Sequence, residues 1–260
     1  MSQEQPSNFI ISYLSLRRIV VAIGILLPFV LRLGIIAFSH PIPYSISSYY
    51  YSPMRNILVA SLCALGVFLI AYKGYDGLDT GITNVAGGAA VGVALFPTSD
   101  PSFSPAWVGH LHPVFATVAM LALALMALQF TQTGRAGDQT VTGKTKPGWR
   151  QDVKRMWLAL LFRYQDPDNP RKLKRNRIYS TCAWLILLGV VLGGAQNFWP
   201  ESVKEVTQWL FWFEALAVVA FGVSWFVKGE TFFKDGPAAS AVPGSRRDGH
   251  DEVPEEAQLA

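Results

Sequence analysis

Apolar residues in this chain collect in six blocks: Ile19 to Phe38, Ile57 to Tyr75, Gly81 to Pro97, Val108 to Phe130, Ile178 to Gln196 and Val206 to Val227. Each is about 20 residues long, the length a helix needs to cross the hydrocarbon of a bilayer. The blocks are separated by short polar stretches and by one long one. This pattern predicts an all-α fold, an integral membrane bundle of six transmembrane helices. Residues 1–18 read as a cytoplasmic N-terminal segment, 19–233 as the six-span domain with a basic cytoplasmic loop at 131–177, and 234–260 as a disordered tail of Ala, Gly, Pro and charge. The first block is too long for the core of a cleavable signal and lacks a small-residue cleavage site, so it reads as a retained span.

Composition agrees: 51% of residues are hydrophobic and only 15% charged, which excludes an ordinary soluble domain. The net charge of +4 matters less than its distribution. With the N-terminus inside, 19 of the 22 lysines and arginines fall on the cytoplasmic side, Arg55 and Lys204 fall outside, and Arg32 lies within a span. That asymmetry predicts both termini in the cytoplasm of a cell inner-membrane protein, and it explains the basic balance without nucleic acid. Tyr49 to Tyr51, Trp107, Trp199, Trp209 and Trp212 then stand at the outer boundary as interfacial anchors. Cys63 and Cys182 sit inside apolar blocks and read as small hydrophobes, neither a disulfide nor a metal site.

Two further patterns bear on assembly and partners. The third block is rich in Gly and Ala, and Gly88 and Gly92 form a G-x-x-x-G step, repeated by Gly189 and Gly193 in the fifth; such steps let helix backbones approach closely. In the long loop, Trp149, Val153, Met156, Trp157, Leu160, Leu161 and Tyr164 recur as one apolar stripe of a helix, with basic residues off the stripe. This predicts a helix lying in the membrane interface. Arg171, Lys172, Lys174, Arg175 and Arg177, just before the fifth block, are expected to contact anionic lipid.

Candidate chemistry gathers at the outer face. Ionisable groups within spans are costly and need a reason. Arg32 and Glu214 lie at similar depth below that face, placed either to pair or to form the polar floor of a cavity. The hairpin from Phe96 to Pro113 brings Asp100, His110 and His112 to the same side, with His40, Ser45, Ser47 and Ser48. Arg32, Ser48, Asp100, His112 and Glu214 are the expected ligand-binding set, and Asp100, His112 and Glu214 the candidates for any catalysis. His40, His110 and His112 are the candidate metal ligands, zinc being the ion such a set suits. His110 and His112 are two apart and diverge on a helix; Pro113 at a first helical position would leave both in the entering loop, free to converge.

The segments ISSYYYSP (Ile46 to Pro53), ALFPTSDP (Ala94 to Pro101), GHLH (Gly109 to His112) and RNRIY (Arg175 to Tyr179) resemble those of an uncharacterised prokaryotic multi-span membrane family, a domain of unknown function, with a likeness to DRAM/Frag-type proteins. That resemblance covers Ile10 to Phe233 and implies that His112 is the family's histidine and Asp100 its acidic partner. A more distant likeness is to the CREST group of alkaline ceramidases and adiponectin-type receptors, which would imply zinc-dependent hydrolysis of a lipid amide. The chain departs from that group in its six spans and in lacking a late H-x-x-x-H. The expectation taken forward is a multi-pass protein that binds a lipid or small amphiphile in a polar pocket at the outer face. A zinc-dependent lipid amide or ester hydrolase is the first alternative. A lipid-sensing or scaffold protein acting through the basic loop is the second.

Overall fold

The computed structural model describes residues 7–72, 77–98, 106–131, 154, 157, 158, 160, 161, 170–195, 198, 199 and 208–228, with backbone alone for 7–16, 106 and 170–173. Among the described residues, six long helices carry the fold: α1 (Ser7–Ala37), α2 (Arg55–Ala71), α3 (Gly77–Leu95), α4 (Ala106–Gln129), α5 (Pro170–Ala195) and α6 (Trp209–Lys228). A 3₁₀ helix, Ser47–Tyr51, lies between α1 and α2, and no strand occurs among the described residues. Of these, five are long and apolar enough to cross a membrane; α2, at 17 residues, is apolar but shorter, about 26 Å. The protein is therefore an all-helical membrane protein. Its outward faces carry large apolar side chains such as Leu33, Val67, Val85, Val191 and Leu216, the surface hydrocarbon solvates and water does not.

The helices form a ring in chain order, each packed on the next and α6 closing on α1, with the looser joint between α1 and α2. Glycines set the closest crossings. A Cβ placed on Gly24 would lie 2.9 Å from the Gly222 Cα, where α1 crosses α6. One on Gly66 would lie 2.7 Å from the Gly87 carbonyl, where α2 crosses α3. The expected G-x-x-x-G step is thus half right: Gly92 is filled by the Phe115 ring, but Gly88 faces open space and its neighbour Gly87 makes the crossing. Gly189 of α5 packs on Phe213 and Ala217 of α6.

The ring has two unlike ends. At the basic end, Tyr72, Phe130, Tyr179, Phe221 and Trp225 interlock edge to face, with centroids 5.1 to 6.1 Å apart, and Lys228 lies 5.4 Å over the Phe130 ring. Here the structure departs from expectation. Helix α5 starts at Pro170, so the basic run is helical and continuous with the span rather than a loop before it. Helical rotation turns Arg175 inward with Tyr179, Cys182 and Ile186, and it is 8% exposed. Lys174 and Arg177 remain exposed, whereas Arg175 is buried among the helices. Asp79 is buried at the same end. Of the interfacial stripe, Trp157 and Leu161 are exposed, while Leu160 packs on the core and its carbonyl accepts a 2.7 Å hydrogen bond from Trp184 Nε1–H. The side chains of Arg171 and Lys172, most of the long loop and the 234–260 tail lie outside the described residues.

Candidate functional site

The opposite end of the ring is built by residues 44–52 wedged against α6. The first four amides of a helix lack intrahelical partners; in α6 the Phe211 amide donates to the Tyr44 carbonyl at 3.0 Å. Ser45 and Ser48 cap the turn reciprocally, each Oγ accepting the other's backbone N–H at 3.0 to 3.1 Å. Glu214, one turn into α6, accepts a hydrogen bond from the Ile46 amide at 2.5 Å. A long-range carboxylate thus holds the loop to the bundle.

The segment after α3 is pinned from two sides. Tyr51 Oη–H donates to the Thr98 carbonyl at 2.5 Å, and His112 Nδ1–H donates to the Phe96 carbonyl at 2.7 Å. Phe96 also stacks on Phe115 at 5.2 Å. A carbonyl only accepts, so Nδ1 carries the proton, and in the neutral ring Nε2 keeps the lone pair.

Two cavities open within this frame. The narrower, about 90 Å³, has aliphatic walls from α1, α2, α3, α4 and α6, including Leu27, Leu58, Leu62, Leu65, Leu123 and Val218. The wider, about 410 Å³, lies among α4, α5, α6 and the 44–47 loop, and carries Tyr44, Ser45, Ser47, Thr98, His112, Thr117 and Glu214 among its lining residues. Gly189, Gly193 and Gly194 also line it, so missing side chains on α5 make its room. Ser47, His112, Ala116, Met120 and Glu214 line both. The result is a polar node with an apolar arm on one side and a mixed chamber on the other.

The expected residues divide accordingly. His112 and Glu214 come together in one cavity wall. Ser48 is consumed by its cap with Ser45, and its neighbour Ser47 lines the cavity instead. Arg32 lines neither cavity and forms no ion pair with Glu214; its guanidinium lies 5.1 Å over Phe211 and 5.9 Å over Trp212. It also neighbours Tyr49, whose hydroxyl is pushed above the ordinary tyrosine range by burial, an effect that Arg32 opposes. Asp100 lies outside the described residues.

The metal set is not assembled. Helix α4 begins at Ala106, and Pro113 stands inside it rather than at its first position. His110 and His112 are therefore both helical and two residues apart, so they diverge: His110 is exposed and His112 buried at 6%. His40 is exposed, with Nδ1 3.1 Å from the Pro41 carbonyl. Among the described residues no three His, Cys, Asp or Glu side chains gather, and the donor set does not fit zinc.

Sequence reasoning placed Ser47 at the outer face but chose Ser48 for the ligand set, and it missed Thr98, Thr117 and the α5 glycines as a lining. Only the glycines left a signal, the G-x-x-x-G step at Gly189 and Gly193, and it reads equally as packing. Comparison of the chain with family models, with curated proteins and with solved structures gives no match.

Proposed function

We propose that this is a six-span inner-membrane protein with both termini cytoplasmic, and that it binds a lipid or small amphiphile in the adjoining cavities at its outer end. One observation carries the reading: Ser47, His112 and Glu214 stand in the shared wall between an aliphatic cavity and a half-polar one. Ligand sites are concave, mostly apolar and carry a few convergent polar groups. An amphiphile matches both sides of that wall at once. The orientation rests on the charge asymmetry, and a reporter fused after Phe103 should be exposed outside the cell.

Photolabelling tests the binding. A diazirine-bearing decanol, activated in the purified protein, should mark α4 between Ala116 and Leu123 and α6 near Val218 and Phe221. Ala116→Phe, which fills the shared wall, should abolish those marks, and His112→Ala should weaken them. Label found only on lipid-facing residues such as Leu33 and Val67 would refute the reading.

A further inference from the structure

Resting on that reading, we propose that the ligand's head is a protonated primary amine carried on a single alkyl chain. Two of the polar groups at the node can only accept hydrogen bonds from a ligand. Glu214 brings a carboxylate, and His112, its Nδ1–H already given to Phe96, brings Nε2 as an acceptor. Pro113 has no N–H, so the Gly109 carbonyl lacks its i+4 amide partner, and both residues line the wider chamber.

Positive groups are missing from the same walls. Among the described residues no lysine or arginine lines either cavity. Arg32, at a similar depth in α1, is held over Phe211 and Trp212. A phosphate or carboxylate head would bring only acceptors, which Glu214 and the His112 Nε2 cannot satisfy, and a negative charge towards Glu214 where little water screens it. An ammonium brings three donors and no acceptor, and neutralises the carboxylate that faces it. A hydroxyl head supplies one donor without the charge. The aliphatic cavity, about 90 Å³ and walled by Leu58, Leu62, Leu65 and Leu123, is small, and its walls suit one alkyl chain.

The experiment uses the full chain in mild detergent, labelled by the diazirine-bearing decanol in competition with decylamine, decanol or decyl phosphate. Decylamine should displace the label at a concentration about tenfold below that of decanol, with decyl phosphate weakest. Glu214→Gln should close the gap between amine and alcohol. Decyl phosphate competing as well as decylamine, or a gap that survives Glu214→Gln, would overturn the head assignment while leaving the cavity reading intact. Absence of cavity labelling in folded wild type would overturn both. Should Glu214→Gln fail to fold, the rank order in wild type decides alone.

Discussion

Replacing Gly24 or Gly222 by alanine adds one methyl at the crossing of α1 and α6. The new carbon at Gly24 would meet the Gly222 Cα at 2.9 Å, and one at Gly222 would meet the Gly24 carbonyl carbon and the Ile25 amide at 3.0 Å. These are backbone atoms, which no rotamer change moves aside, so the helices themselves must part. Overpacking of this kind costs about 1 to 3 kcal/mol, against about 1 kcal/mol gained from alanine's better helix propensity. Each single variant should therefore lose up to about 2 kcal/mol. Gly88→Ala, whose new methyl meets nothing within 4 Å, should be neutral or slightly stabilising. The double variant Gly24→Ala/Gly222→Ala should lose less than the sum, because separating the helices for one methyl makes room for the other. Reversible unfolding in mixed SDS micelles, followed by tryptophan fluorescence, measures all four. Crossing variants that match or exceed Gly88→Ala in stability would refute the assigned helix contact.

Glu214→Ala should cost about 1 to 3 kcal/mol by leaving the Ile46 amide without its acceptor, and faster hydrogen exchange at Ile46 would report it; Glu214→Gln, which keeps an acceptor oxygen, should lose less. At the end of α1, Ser39 sits at φ 50° while its own amide and that of His40 bond back to Ile36 and Ile35, a Schellman turn that favours glycine. Ser39→Gly should stabilise by up to about 1 kcal/mol in the same unfolding assay, since the left-handed conformation penalises a side chain. Trp184→Phe removes the donor that holds the Leu160 carbonyl, and hydrogen exchange around Trp157 to Leu161 should accelerate while the rest of α5 is unchanged.

The six apolar blocks fixed the class of this protein because hydrocarbon admits few alternatives to helices for such runs of side chains, and each helix lies on its block. The helix ends were less legible. The basic run from Arg171 reads as a polar stretch by composition, yet nothing in it breaks a helix, so α5 runs through it and rotates Arg175 into the bundle. Pro113 was ambiguous for a similar reason: proline suits a first turn, but it sits in the eighth position of α4, which separates His110 from His112. Glu214 and His112 stood out in the sequence as an ionisable residue inside an apolar block and a histidine at its edge. Their partners did not. That Glu214 holds the Ile46 amide instead of Arg32, and that Ser47 rather than Ser48 shares the cavity wall, follows from how residues 44–48 fold onto α6, a contact spanning 168 residues of sequence. Composition and period reveal which residues avoid water or lipid; only the closed ring of helices decides which of them meet.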